Sequence, residues 1–471
     1  MKKIILAILM LSSLSMMAQQ REEAAVDSKL KALRSEKNVK VRQQKIKALE
    51  NGTDKDLMLL IQYYDKNAAK KEALTKTLQK KYPQSENARM MRIASFLKLK
   101  GIPEMELHLQ SLIKEYPNLN LDMEKSLLSS TYAEVPDAKK VLQHINSMKD
   151  PVFKVRALVM AIELMAAVNN TKALELATGE LEEAKKMKGK TALSEPLKID
   201  PKAAYEDYIN LYGKLLFNAG KNDEAYQYTT EAYNSIKNKD GELIENYAFL
   251  SSLNGKYEEA LPILAKSVRE GKFDQRYIEQ VRKGYSALYP GKDIEAYITA
   301  LKNVFIDKIK MQVSKLMISK AAPNFTVTDV NGKVVSLADF KGKTIVLDFW
   351  ATWCGPCVAS FPAMQMAVNR YANDPNVKFL FIHTWDNDPN PLADAKNFLN
   401  KRNYKFDLYM DPRDPVTKHS AAADAFKIDG IPAKFIIDGN GKVRFEVSGF
   451  EGKNEAAAEE IVQMVEMARK S

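Results

Sequence analysis

The chain is 471 residues long, too long for one hydrophobic core, and a prior of roughly 150 residues per domain points to two or three units. Apolar residues make up 45% and charged residues 28%, which excludes wholesale disorder and a multi-span membrane protein. The net charge of +11 lies upstream: residues 319–471 hold 19 Lys or Arg against 19 Asp or Glu, so the excess reads as a solvated basic surface on the preceding part.

Lys2 and Lys3 precede an apolar run, Ile4–Leu11, that continues through Ser12–Met17 to the small Ala18. That layout predicts an export signal cleaved after Ala18. Its apolar stretch is shorter than the roughly 20 residues of a spanning helix, and polar sequence begins at Gln19. An uncleaved anchor is the alternative, because Met16 suits a cleavage site poorly. With no cysteine nearby, the segment does not fit a lipid-anchored lipoprotein. The expected location is the periplasm or cell envelope of a Gram-negative-type bacterium. In that setting, and without an aromatic-basic motif, nucleic acid is not an expected partner.

From about Gln20 to Ile318 apolar residues recur at three and four spacing, and prolines fall mostly between segments, which predicts helices throughout. Leu57–Ile61 and Ala157–Ala161 are apolar centres of two of them. An internal period is present: Lys81-Tyr82-Pro83 recurs as Glu115-Tyr116-Pro117, 34 residues on, and Gly220–Ala225 recurs as Gly255–Ala260, 35 residues on. Such a period is that of a helix-turn-helix unit burying its apolar face on the next. These residues resemble tetratricopeptide repeats, most clearly over 202–268, with Tyr208, Tyr212 and Tyr247 as packing aromatics and Ala260 at a close helix contact. Irregular helix pairs are the alternative.

The texture changes around 318–325. Short β-rich strings follow: Phe325–Val327, Lys333–Val335 after the Asn331-Gly332 turn, Ile345–Trp350, Val377–Ile382, Ala433–Ile437 and Val443–Val447. Helices are expected at about 357–372, 392–402, 419–427 and 453–469. Strands alternating with helices, then a hairpin and a final helix, describe a mixed α/β sheet covered on both faces.

The chain has two cysteines, separated by two residues. An exported protein meets an oxidising compartment, yet no second pair exists to staple loops, so Cys354 and Cys357 are expected to do chemistry. The string Asp348–Cys357 runs from a buried strand into a helix start. Cys354, just ahead of that helix, lies where unpaired N–H groups and the helix dipole favour an anion, so its thiolate is stabilised relative to a free thiol of pKa about 8.5. Cys357, one turn in, is near enough to attack a mixed disulfide formed on Cys354. Half of a zinc site is the competing reading, but no third cysteine exists and His108, His144, His383 and His419 are scattered. A permanently closed disulfide constrains little over so short a loop. No metal and no cofactor beyond the cysteine pair is expected.

Residues 320–471 resemble the thioredoxin-like family, and most its exported TlpA-type thiol-disulfide reductases. The likeness rests on Ala322–Phe325, the Phe349-Trp350-Ala351-Thr352-Trp353-Cys354-Gly355-Pro356-Cys357 core, Phe361-Pro362, Gly430-Ile431-Pro432 and Phe435–Asp438. It implies Cys354 as the attacking thiol, Cys357 as the resolving one and Pro432 as a cis-proline facing them. Pro362 would kink the active-site helix. Client contacts would fall on Trp353, Gly355, Pro356, Ile431 and Pro432, the backbone of Ile431 pairing with an extended substrate. Asp348 resembles a buried carboxyl that relays a proton from the resolving thiol, and burial should raise its pKa. One departure stands out: many exported relatives carry a glutamate three residues after the second cysteine, and this chain has Ser360.

The expected organisation is a signal at 1–18, a tetratricopeptide-like helical-repeat array at 19–318 and an α/β thioredoxin fold at 319–471. The expected activity is disulfide reduction in exported proteins, with electrons from a membrane or periplasmic thiol protein and possible partners held on the array. A disulfide oxidase or isomerase, or an interaction scaffold with an accessory redox domain, are the alternatives.

Overall fold

Helices upstream of the sheet begin where a short polar side chain covers the first free N–H groups: Asn38, Thr53, Ser85, Asp150 and Asp200 each accept such hydrogen bonds. The computed structural model describes residues 28–194, 198–386, 388, 390–450 and 453–471. The expected export signal lies outside them. The chain divides into two compact units, one ending at Leu250 and the other beginning at Ser251.

The first unit is helical. A small cluster around Leu57, Leu60 and Leu78 is followed by a long one that runs from Ile93 to Leu250. Helix Pro201–Asn218 packs against Asn222–Ser235 across a turn at Gly220. Their approach is close enough that a Cβ on Gly213 would come within 2.7 Å of Thr229 Oγ1. Tyr208 is fully buried in this unit. A buried ion pair, Arg92 Nε to Glu124 Oε1 at 3.2 Å, lies within the same unit, and Arg92 also donates to the Pro83 carbonyl at 2.7 Å.

The second unit opens with helices Tyr257–Arg269, Gln275–Leu288 and Ile294–Ser314. Ala260 is fully buried, as is Ala225 at the matching place 35 residues earlier. Gly271, at φ +100°, comes so close to Phe305 that a Cβ would meet its ring at 2.6 Å, and this lets the chain turn tightly beside the last of the three helices.

Eight strands follow: β1 (Lys320–Ala321), β2 (Thr326–Asp329), β3 (Val334–Ser336), β4 (Thr344–Trp350), β5 (Val377–Thr384), β6 (Leu408–Asp411), β7 (Ala433–Ile437) and β8 (Lys442–Ser448). They form one sheet in the order β1-β8-β7-β4-β5-β6-β2-β3, with β4, β5 and β6 parallel and β7 antiparallel to β4. The central strand β4 is buried along its whole length, and its side chains alternate between two cores. Ile345, Leu347 and Phe349 join a cluster with Phe325, Ala422 and Phe426. Val346 and Trp350 join the other, with helices Gly355–Arg370, Pro391–Lys401, Asn454–Ala468 and Ile294–Ser314, the last through Phe305, Ile309 and Val313. The fold is thus helices followed by a mixed α/β thioredoxin sheet. Two strands, β1 and β6, have no counterpart among the sequence expectations, and the expected helix at 419–427 is the short Ala421–Ala425.

The change of texture at 318–325 marks the start of the sheet, whereas packing divides the chain some seventy residues earlier, at Leu250/Ser251.

Candidate active site

Strand β4 delivers the chain to the site. After Trp350 it leaves the sheet, and Cys354 becomes the N-cap of helix Gly355–Arg370, with Pro356 in the first turn. A proline fits there because the first-turn N–H groups have no helical partner. Cys354 Sγ accepts a hydrogen bond from the Cys357 N–H at 3.2 Å, so the sulfur sits where the helix supplies positive partial charge. Cys354 and Cys357 are joined as a disulfide. Cys357 is fully buried and Cys354 is 4% exposed, so a partner approaching from solvent meets the first sulfur.

The loop before β7 closes the site from the other side. The Ile431-Pro432 peptide is cis, and the Ile431 carbonyl oxygen lies 3.5 Å from Cys354 Sγ. Trp353 is 59% exposed on the rim, and Gly355 and Pro356 are exposed beside it. The structure therefore gathers Trp353, Cys354, Gly355, Pro356, Ile431 and Pro432 around one sulfur. Pro362 lies inside the helix that Cys354 caps, and the neighbouring Phe361 packs on Trp350 at 5.0 Å between ring centroids.

Asp348 is deeper, 1% exposed on β4, on the face shared with Val346 and Trp350. Burial pushes its carboxyl above the ordinary aspartate range, partly offset by a cation that the sequence analysis did not single out. That cation is Lys434 of β7, itself only 5% exposed, with Nζ 3.4 Å from Asp348 Oδ1. The contact is electrostatic: neither Asp348 oxygen accepts a well-directed hydrogen bond. Lys434 Nζ also lies 3.5 Å from Ser360 Oγ, and Ser360 donates to the Cys357 carbonyl at 2.8 Å. Strand alternation could have shown Lys434: in Ala433–Ile437 it shares a face with Ile436, so its ammonium must point inward.

On the neighbouring strand β5, His383 is buried 3.3 Å from Asp386, and burial holds its imidazole below the usual histidine range. Among the described residues no group of three or more His, Cys, Asp or Glu is arranged to hold a metal ion. The arrangement can exchange its own disulfide for a client's, and Lys434 links the buried Asp348 carboxyl to Ser360, which bonds the Cys357 carbonyl.

A helix-capping cysteine pair facing a cis-proline on this sheet is the working centre of a thioredoxin-fold thiol-disulfide oxidoreductase. Comparison with known proteins agrees. The AhpC/TSA family model matches residues 318–446. The thiol-disulfide oxidoreductase ResA of Bacillus thuringiensis (strain Al Hakam) is 36% identical over 157 residues, 33% of this chain and 82% of that one. ResA of Bacillus subtilis (strain 168) is 32% identical over 128 residues, covering 27% and 65%. A solved thiol:disulfide interchange protein of the thioredoxin family from Chlorobium tepidum TLS shares 28% identity over 32% of this chain and 97% of its own, with a TM-score of 0.26. By its C-terminal third the chain belongs to the family of ResA-like thiol-disulfide oxidoreductases.

Proposed function

We propose that the protein is an exported disulfide reductase that acts through Cys354-Gly355-Pro356-Cys357 on disulfide-bearing cell-envelope proteins, its helical unit a tetratricopeptide-like array that holds clients or partners. The observation that carries this reading is the placement of Cys354. Its sulfur is the reachable one of the pair, at a helix N-terminus that favours a thiolate, and the Ile431 backbone lies 3.5 Å away where an extended client strand can pair. The Cys354 thiolate attacks the client disulfide; Cys357 then attacks the mixed disulfide and frees the reduced client. Asp348 takes the proton that Cys357 must lose, which suits a carboxyl whose affinity for protons is raised by burial.

Gly355-Pro356 is the dipeptide of reducing thioredoxins and supports reduction as the direction. Electrons then come from another thiol protein of the membrane or periplasm, and the basic-apolar start at Lys2–Ala18 supports export. The test is the reduction potential, read from Trp350 and Trp353 fluorescence in thiol buffers. The expected value lies near the roughly −270 mV of thioredoxin; one near the roughly −120 mV of strong periplasmic oxidants makes the protein a disulfide donor and overturns the proposal.

A further inference from the structure

Asp348 poses a problem that its burial creates. A carboxyl with 1% exposure can take a proton from Cys357 once, but it must release that proton to solvent before the next cycle. Asp348 is not among the residues that line the cavity nearest Lys434. That cavity has a volume of about 500 Å³. Its lining includes Ser360, Lys434 and Glu460, together with Pro356 and Ile431 from the mouth of the redox site. Lys434 is thus both the only charged group within ion-pairing distance of Asp348 among the described residues and a lining group of the cavity.

We propose that Lys434 and Glu460 form the exit route for the proton of Cys357, with Lys434 as the relay out of the buried pair and Glu460 as the carboxylate that hands it to solvent. The proposal rests on Asp348 being the first acceptor. In the resolving step the Cys357 S–H bond breaks and its proton goes to Asp348. The sulfur's electron pair forms the Cys354–Cys357 bond, and the bond from Cys354 Sγ to the client sulfur breaks, so the client leaves as a thiolate. Asp348 then gives its proton to Lys434 Nζ as Lys434 gives one of its own, through solvent in the cavity, to Glu460. Lys434 begins and ends as an ammonium, and one proton has moved outward.

The surroundings leave few other carriers. Strand β4 presents Asp348 to Lys434, and helix Gly355–Arg370 presents Ser360 and Cys357. Helix Asn454–Ala468 presents Glu460, whose carboxyl is held above the ordinary glutamate range by burial. Strand β8 lines the cavity with Val447 and Ser448, which carry no charge. On β5 the nearest titratable group, His383, faces Trp350 and Asp386 and lines a different cavity. Glu460 also answers the departure at Ser360. Where a carboxylate is missing three residues after the second cysteine, the C-terminal helix supplies one to the adjoining cavity.

Both are positioning residues, and the test uses the full chain. Reduced protein is mixed with a chromogenic aromatic disulfide: the first release of coloured thiolate reports attack by Cys354, the second reports resolution by Cys357. Asp348→Asn is expected to slow the second phase roughly 100-fold, Lys434→Met about tenfold with its pH midpoint moved upward, and Glu460→Ala several-fold. Added acetate is expected to restore Glu460→Ala in proportion to its concentration and to leave the parent unchanged, a response that a packing defect would not give. If Asp348→Asn resolves as fast as the parent, the acceptor role falls and the relay with it. If Asp348→Asn is slow while Lys434→Met and Glu460→Ala keep the parental rate and pH profile, the relay alone is overturned. Should Lys434→Met fail to fold, Glu460→Ala with and without acetate decides.

Discussion

Cys357→Ser in the full chain is expected to stop the reaction halfway, accumulating a mixed disulfide between Cys354 and a disulfide-bearing peptide, while Cys354→Ser accumulates none. Both lose turnover to the uncatalysed background. The asymmetry follows from placement. Cys354 caps the helix and is the sulfur that solvent touches, whereas Cys357 is wholly buried one turn in, within reach of Cys354 and of no external partner. Intact mass measured under non-reducing conditions reads the adduct directly. An adduct on Cys357 in the Cys354→Ser protein, or retained turnover in either variant, would assign the roles wrongly.

Replacing the buried ion pair by apolar residues, Asp348→Leu together with Lys434→Met, is expected to leave the protein as stable as the parent or more so, by up to about 4 kcal/mol, while its resolving step falls roughly 100-fold. Taking two charges out of water costs more than their attraction returns unless hydrogen bonds complete the site, and neither Asp348 oxygen has a well-directed one. Asp348→Leu alone leaves the Lys434 ammonium buried without a counter-charge and is expected to lose about 3–5 kcal/mol. The pH dependence has a definite sign. Because the folded-state pKa of Asp348 is raised, folding favours its protonated form, so the parent's stability falls as pH rises from the ordinary aspartate value of 3.8 through the raised one. The double variant lacks that slope, and its advantage should widen over the same interval. Denaturant unfolding across pH checks both statements, and a double variant clearly less stable than the parent would show the pair to be structural.

Much of the redox site is legible in the sequence because it lies in one contiguous string. Asp348–Cys357 carries the strand, the turn and the helix cap together, and Gly430–Pro432 is marked by a proline at a strand start. Lys434 and Glu460 are less visible. Lys434 shows itself only through the alternation of a five-residue strand, and Glu460 is an ordinary surface residue by type until the packing of helix Asn454–Ala468 sets it on the cavity. Strand β6 escapes for another reason: Leu408–Asp411 is four residues long, and its identity comes from pairing with β5 and β2. Two-residue β1 is likewise defined by its partner β8. Local propensity does not see ladders.

Helix Ile294–Ser314 bears on how the redox part can be isolated. Phe305, Ile309 and Val313 belong to the same core as Val346, Phe361 and Ile461, and Phe305 is further locked by Phe273 at 5.4 Å. The seam between helices and sheet at 318–325 is therefore a change of architecture without being a place to cut. Scissors placed there would strip three apolar side chains from the core and uncover the side of helix Asn454–Ala468 where Ala458 and Val462 lie beside Ile306, so a fragment beginning at 319 would report its own loss of packing as if it were loss of a client-binding region. By packing, the redox unit counts helices Tyr257–Arg269, Gln275–Leu288 and Ile294–Ser314 as part of its own wall.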